Sequence, residues 1–448
     1  MFSVLFVHLS LMNGGCQSII PLLKGKMMIE IKPVNKINAS VRIPGSKSYT
    51  NRALITALLA NGESVIKNAL LSEDTRVMIS CLGELGIPVN TITEENRLII
   101  KGCEGRIPVD GAKLFAQNAG TVVRFMTAAL TLGNGQYEID GIERMRQRPM
   151  QQLIDALNQL GADVASKEGT GCPPVLINAS GLMGGTVKIP GNISSQYISA
   201  ILLTAPYANS DVRIVVIDDL ASKNYVDMTL DVMNRFGVTV ERDLYKEFSV
   251  KSGQVYRGCE YMVEPDASGA SYFLAAAAIT GGKVRVEGLG ENSLQGDARF
   301  VDILGKMGCK TKKSHDWLEV EGGELRGIDV DMNDTPDVVQ TLAPVAAFAK
   351  GKTRIRNVRN LRYKETDRIT AVVNELKRVG VDAIEFEDGI EIIPSPPHSA
   401  EISTYNDHRM AMSFALLGLR IKGIKIKNPE CVEKTFPDYF ERLEKLYH

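Results

Sequence analysis

The residues of this sequence that could do chemistry stand where helices ought to begin. In IPGSKSYTNRALI, from Ile43, apolar periodicity sets in at Ala53, so the spacing predicts a helix from about Ser48. Lys47 then lies at its N-terminus, where unpaired amides and the helix dipole favour an anion, and Arg52 follows one turn later. A Walker A loop is excluded, because Ser46 separates Gly45 from Lys47 and no Gly precedes it at the required spacing. In QNAGTVVRFMTAAL, from Gln117, residues 118–121 read as a tight turn, and Gly120 admits a close approach of ligand to backbone. GIERMRQRPM, from Gly141, sets Arg144, Arg146 and Arg148 ahead of a helix opened by Pro149. Three guanidiniums in that place require an anion or acidic partners. GNISSQYISA, from Gly191, offers Ser194, Ser195 and Gln196 as neutral donors at another helix start, a setting that suits phosphate. Ser222 and Tyr225, in LASKNYVD, occupy the equivalent loop further on.

The second half of the chain repeats the theme. NLRYKETDRI, from Asn360, groups Lys364, Glu365 and Arg368 around a predicted helix start. A carboxylate beside two cations can transfer a proton or fill a salt bridge. NDHRMAM, from Asn406, puts His408 and Arg409 before an apolar helix, and Lys434 in EKTFPDYF opens the last one. Asp337, in TPDVVQTLAP, adds a second carboxylate. Each motif alone also fits a capped helix or a solvated charge run. Their recurrence at successive helix starts points to one cleft that binds substrates with several negative charges, with Asp337 and Glu365 free for acid–base work.

The elements that must position these residues form a repeat. A short apolar strand, a polar loop, an amphipathic helix and a Gly-led exit recur, with strand openings at Val65, Tyr137, Val212, Val284, Thr353 and Ile424, 69 to 75 residues apart. In MQQLIDALNQLGADV, Met150, Leu153, Ile154, Leu157 and Leu160 fall on one face. A second helix of each unit is apolar almost all round, as in SGASYFLAAAAITGG from Ser268, and should be buried. Six such units in about 400 residues exceed what one core supports, roughly 250–300 residues, so two lobes of three units are predicted. The sixth unit lacks its last strand, and the strand near Ile29 lacks a helix before it. The chain ends are therefore expected to complete one unit together. This places residues 28–45 with 264–448 in one lobe and 46–263 in the other, with the active site between them.

Composition narrows the function classes. The 448 residues are 44% apolar and 23% charged, which excludes intrinsic disorder. Lys plus Arg is 52 against 53 Asp plus Glu, a net charge of -1 that argues against nucleic-acid and anionic-membrane partners. Seven scattered Cys, with no Cys-x-x-Cys, read as reduced thiols of a cytoplasmic protein, mostly small core residues. Five dispersed His leave no zinc site, and no metal is expected. Residues 1–27 are read as an N-terminal extension outside the fold. Its apolar run Phe2–Met12 is too short to span a bilayer, and a targeting segment is the alternative.

PGSKSYTNR, NAGTVVR, RMRQRP, SSQ, DASGASYFLAAAAI, KETDR, DHRMAM and KTFPDYF occur here in the order found in the enolpyruvyl transferases. From about Ile29 to its C-terminus the chain closely resembles the 5-enolpyruvylshikimate-3-phosphate (EPSP) synthase family. The resemblance implies an α/β fold, a two-lobed inside-out α/β barrel whose lobes each hold three βαβαββ units. It implies transfer of the enolpyruvyl group of phosphoenolpyruvate to the 5-hydroxyl of shikimate 3-phosphate, without cofactor, by a monomer of the pathway to chorismate and aromatic amino acids. Residues matching the shikimate 3-phosphate positions are Lys47, Ser48, Arg52, Ser194, Ser195, Gln196, Ser222, Tyr225, Asp337, Asn360 and Lys364. Those matching phosphoenolpyruvate positions are Lys47, Gly120, Arg148, Gln196, Arg368, Arg409 and Lys434. By the same resemblance Asp337 takes the hydroxyl proton and Glu365 serves the methylene carbon, Lys47 assists, and His408 lies near. Because position 120 is Gly, glyphosate is expected to inhibit in the phosphoenolpyruvate site. Three departures stand out: Phe125 where many members have Pro, Gly269 where Ser is commoner, and Asn224 where Pro is commoner. Phe125 raises the question of inhibitor sensitivity. UDP-N-acetylglucosamine enolpyruvyl transferase is the nearest alternative, but its reactive Cys is missing between Cys103 and Cys172. A catalytically silent anion-binding protein of the same fold is the other.

Overall fold

The structure, a computed structural model, describes residues 27–447. All of the expected extension but Met27 lies outside the described residues, as do His8, Cys16 and His448. The first lobe carries helices α1 (Lys47–Leu59), α2 (Glu73–Glu84), α3 (Gly120–Leu130), α4 (Gln151–Gln159), α5 (Ser195–Thr204) and α6 (Asn224–Arg235). The second carries α7 (Ala267–Thr280), α8 (Phe300–Lys306), α9 (Val339–Ala346), α10 (Arg368–Arg378), α11 (His408–Gly418) and α12 (Tyr439–Lys445). The odd-numbered helices α1, α3, α5, α7, α9 and α11 are buried along almost their whole length. That is the state their all-round apolar sequences require. Helices such as α4 and α10 bury one stripe and leave polar residues outside.

The strands form six small sheets built to one plan. Gly111–Phe115 runs parallel to Asn134–Asp140, which is antiparallel to Val175–Ser180, which pairs with Val164–Ser166. The first lobe closes on itself, since its last strand, Glu260–Met262, lies parallel to its first, Glu63–Lys67. In the second lobe Asn38–Arg42 lies parallel to Lys283–Glu287, and Met28–Glu30 is antiparallel to Lys425–Lys427, which Glu401–Ile402 flanks on the other side. The two ends of the described chain thus share a sheet. The apolar interior falls into two clusters. One runs from Tyr49 to Val263; the other joins Ile31, Ile37 and Ile43 to residues between Ala267 and Leu443.

The chain passes between lobes twice, and the two passages are paired. Ser46 N donates to Glu264 O at 2.8 Å and Asp266 N to Pro44 O at 2.9 Å. Gly45 is needed there: a Cβ would lie 1.9 Å from the Asn68 carbonyl oxygen. This seam sets the first residues of α1 and α7 side by side.

Some sequence expectations shift. The first two repeat strands open at Glu63 and Asn134, ahead of Val65 and Tyr137. Helix α10 starts at Arg368, because the Asp367 side chain caps it by accepting from Ile369 N and Thr370 N, so Lys364 and Glu365 belong to the loop before it. Helix α12 starts at Tyr439 rather than Phe436. Of the described cysteines only Cys81 and Cys309 are buried, so most are not core residues. Among the described residues no helix is long and apolar enough to cross a membrane.

Candidate active site

Helix starts from both lobes meet at one place. Lys47 and Ser48 at α1, Gly120 at α3, Gln196 at α5, Tyr225 at α6 and Arg368 at α10 line a cavity of about 40 Å³ with Asp337, Glu365 and Arg409. A neighbouring cavity of about 30 Å³ is lined by Ser194, Ser195, Ser222, Asn360 and Arg124, and shares Arg148, Gln196 and Lys364 with the first. The shared walls make them two halves of one site. Each has room for only a few water molecules, so a substrate enters only when the lobes part or side chains move.

The centre of the site is the Arg368 guanidinium, 2% exposed. Its Nη1 lies 3.0 Å from Asp337 Oδ1 and its Nη2 2.7 Å from Glu365 Oε2, while Asp407 accepts from Nε at 2.8 Å. Asp337 also accepts from Arg409 Nη2 at 3.1 Å and from the Tyr225 hydroxyl at 2.8 Å, and Lys364 Nζ stands 3.7 Å away. Tyr225 and Asp337 come from opposite lobes, as do Ser222 and Asn360, whose Oγ and Nδ2 are 3.4 Å apart. Lys434 donates to Asp74 at 2.5 Å and to Asn118 O at 3.1 Å, and Lys47 lies 3.1 Å from the same Asp74 carboxylate. Arg148 donates from Nη1 to Asn118 O and Oδ1 at 2.9 and 3.2 Å. Ser194 caps α5 by accepting from Gln196 N at 3.3 Å.

Burial and charge compete in every ionisable group here. Burial alone would raise the Asp337 carboxyl, but Arg409, Lys364 and Arg368 outweigh it and hold it well below the ordinary carboxylate range. Glu365 is likewise raised by burial and lowered further by Arg368, Arg148 and Lys434, and ends well below that range. Both are therefore ionised at neutral pH. Burial lowers Lys364 against the pull of Asp337, and pushes Arg148 down to about 10. His408 is fully buried as the first residue of α11, with neither ring nitrogen hydrogen-bonded, and burial holds it well below its ordinary value as a neutral imidazole.

Arg52 stands apart from the two cavities, and of the arginines in the 144–148 run only the one that the resemblance assigns to the site lines them. Arg52 is 1% exposed and lies behind both cavities, donating to Thr229 Oγ1, to Ser48 O and to Tyr225 O at 2.8 to 3.0 Å. Only Arg148 reaches the site. Arg146 pairs with Asp140 at the surface, and Arg144 crosses to the other lobe, donating to Lys364 O at 2.9 Å.

Residues 31–443 match the family described as EPSP synthase (3-phosphoshikimate 1-carboxyvinyltransferase). The chain belongs to the EPSP synthase family. It is 49% identical over 417 residues to the 3-phosphoshikimate 1-carboxyvinyltransferase of Nostoc punctiforme, covering 93% of this chain and 98% of that one. It is 48% identical over 421 residues to that of Shewanella amazonensis, with the same coverage. The solved EPSP synthase of Acinetobacter baumannii superposes with a TM-score of 0.79 at 27% identity, covering 93% of this chain and 97% of that one.

Within this EPSP synthase-family site the departures have definite surroundings. Phe125 is fully buried in an unbroken α3, its ring 5.3 Å from the Arg52 guanidinium, so it backs Arg52 rather than Gly120. A Cβ at Gly269 would lie 3.1 Å from Ile43, which leaves little room for a larger residue. Asn224 donates from Nδ2 to Asp334 O of the facing lobe at 3.1 Å, a bond Pro cannot make. Four residues of the site escaped sequence reasoning. Arg124 donates to Gln196 Oε1 at 2.8 Å, Asp74 joins Lys47 to Lys434, Asp407 holds Arg368, and Asn118 receives Arg148. Asp74 sits in the first turn of α2, an ordinary place for an acid, so its type carried no signal.

Proposed function

We propose that this chain transfers the enolpyruvyl group of phosphoenolpyruvate to the 5-hydroxyl of shikimate 3-phosphate, releasing phosphate. The observation that carries this is the pair of buried carboxylates, Asp337 and Glu365, held on one guanidinium inside a ring of cations from both lobes. Two substrates with a carboxylate and a phosphate each suit that ring, and the two carboxylates supply separate base and acid roles. Asp337 removes the proton of the 5-hydroxyl, whose oxygen attacks the carbon bearing the phosphate. Glu365 delivers a proton to the adjacent methylene carbon, which becomes a methyl group. The tetrahedral intermediate then loses phosphate, and Glu365 takes a methyl proton back to restore the vinyl group. No net proton is gained by Glu365, the proton taken by Asp337 leaves with the departing group as hydrogen phosphate, and the reaction as written uses no metal or cofactor.

Glu365 is ionised beside bare cations, so it needs a reason to become an acid. Phosphoenolpyruvate supplies one. Its anions, facing Arg148, Arg368 and Lys434, weaken the field that holds Glu365 down and let its burial raise it. Fixed donors of Lys47, Arg148, Arg409 and Lys434 stabilise charge on the departing phosphate and the carboxylate. Ser194, Ser195, Gln196, Ser222, Asn360 and Lys364 are assigned to shikimate 3-phosphate, with Ser48 and Tyr225 beside them and Arg52 bracing both. Lobe closure about the paired passages excludes water from the intermediate. We assign residues 28–45 with 264–448 and residues 46–263 to the two closing bodies. The site is complete in one chain, which supports a monomer, and the dispersed thiols support the cytoplasm. Glyphosate, with a carboxylate and a phosphonate, is proposed to occupy the phosphoenolpyruvate half.

The test is phosphate release from phosphoenolpyruvate, with shikimate 3-phosphate or UDP-N-acetylglucosamine as acceptor. Release that requires shikimate 3-phosphate supports the proposal. Release only with the nucleotide sugar moves the chain to the sister activity, and release with neither from folded protein leaves a silent binding protein. Activity unchanged by millimolar glyphosate at limiting phosphoenolpyruvate would remove the inhibitor assignment.

A further inference from the structure

Asp297 is a buried acid that the reaction above leaves without a task. It lies in the short turn Gly296–Arg299, 5% exposed. Its carboxylate accepts the Ser268 hydroxyl, from the first turn of α7. The same hydroxyl oxygen accepts from Arg409 Nη2 at 3.3 Å, and that nitrogen also donates to Asp337 Oδ2 at 3.1 Å. Asp297 therefore stands at the end of a buried line that runs through Ser268 and Arg409 to the proposed base. A buried carboxylate whose partner is a neutral hydroxyl destabilises a fold, so its presence calls for a role beyond packing.

We propose that Asp297, acting through the Ser268 hydroxyl, is a positioning residue for the Arg409 guanidinium during turnover. The inference rests on the function proposed above. A hydroxyl has one proton to give. With that proton committed to Asp297, the lone pairs of Ser268 face Arg409 and accept from it. The arrangement aims Arg409 from the binding of phosphoenolpyruvate onward, and it is most exposed when Asp337 takes the hydroxyl proton. Asp337 then becomes neutral, and its charge-assisted hold on Arg409 weakens by about half. The hold through Ser268 survives that step, so the guanidinium stays aimed at the phosphoenolpyruvate half of the site instead of following the departing anion.

The test compares Ser268→Ala with the parent enzyme in steady-state kinetics, in the wild-type background and in Arg409→Lys. The expected result is a KM for phosphoenolpyruvate raised about tenfold with the KM for shikimate 3-phosphate within twofold. In the Arg409→Lys background, where the forked donor is already lost, Ser268→Ala should change that KM by less than twofold. A general structural defect would move both KM values, or act equally in both backgrounds, and either result overturns the inference. Should Ser268→Ala fail to fold, Asp297→Ala is read by the same criteria. A parent enzyme without turnover overturns the functional proposal and this inference with it, whereas an active parent with an unaffected Ser268→Ala overturns this inference alone.

Discussion

Lys434 crosses the cleft to Asp74 of the facing lobe, its Nζ 2.5 Å from Oδ1, and Lys47 meets the other oxygen of that carboxylate at 3.1 Å. Burial alone would raise Asp74, but Lys434 and Lys47 outweigh it and keep it ionised. One acid thus ties the two lobes and pairs with two cations assigned to phosphoenolpyruvate. Asp74→Asn leaves those buried cations unpaired, at a cost of about 3–5 kcal/mol. The melting temperature should fall, and the upward shift produced by adding both substrates should exceed that of the parent, because substrate anions replace the lost carboxylate. Differential scanning fluorimetry with and without substrates measures both. An unchanged melting temperature would show that the lobes are not tied there.

Gly120 lies in the half of the site assigned to phosphoenolpyruvate, and it is tightly enclosed. A Cβ at this position would lie 2.4 Å from Arg148 Nη2 and 2.6 Å from Arg124 Nη1. Gly120→Ala must therefore push on both guanidiniums. The KM for phosphoenolpyruvate should rise severalfold and the glyphosate concentration for half-inhibition should rise more, with the KM for shikimate 3-phosphate little changed. Equal effects on both KM values would mean that Gly120 faces something else.

Asp297 has a defined pH signature. Burial, then the nearby Asp337, push it from 3.8 up to about 7, against the pull of Arg409; Asp266 and Tyr225 also face it. The folded protein keeps a proton there that the unfolded chain has already lost between pH 3.8 and 7. Stability from this group is therefore full below 3.8 and falls as pH rises toward 7. Asp297→Asn removes that fall. The stability of the variant relative to the parent should grow with rising pH across this window and level off above it, as read from urea midpoints. His408 titrates with the opposite sign, since burial holds it neutral, but it is common to both proteins and cancels in the difference. A flat difference would show that Asp297 does not titrate there.

Asn224 supplies an interlobe hydrogen bond that Pro at this place cannot, from Nδ2 to Asp334 O at 3.1 Å. Removing it in Asn224→Ala should weaken closure by about 1 kcal/mol. Both KM values should then rise together by roughly fivefold, with kcat nearly unchanged. A change in kcat alone would place Asn224 in the chemistry instead of in closure.

What was legible in the sequence is the part governed by local rules. The six-fold recurrence of strand and helix follows from periodicity, and Lys47, Gly120, Arg148, Arg368 and Arg409 stand beside helix starts whose apolar runs announce them, whereas Lys434 ends a short turn ahead of α12. The rest depends on direction and on contacts remote in the chain. Arg144, Arg146 and Arg148 alternate in sequence, yet a short 3-10 turn at Met145–Gln147 sends one to the facing lobe, one to the surface and one to the site. Arg52 shares a helix end with Lys47 but points inward to Thr229 and Tyr225, residues 177 and 173 positions away. Asp74 and Lys434 are 360 positions apart, and nothing local in either marks the pair.

The most direct test of the account is the reaction run in D2O with both substrates, following phosphate and the vinyl hydrogens of the product. Addition of a proton to the methylene carbon followed by its loss from a freely rotating methyl group predicts phosphate release that requires shikimate 3-phosphate, with deuterium washed into the vinyl group. Asp337→Asn and Glu365→Gln should each abolish that incorporation while shikimate 3-phosphate still binds. Product formed with no deuterium in its vinyl group, or with either carboxylate dispensable, would contradict the assignment of Asp337 and Glu365 as the proton-transfer pair.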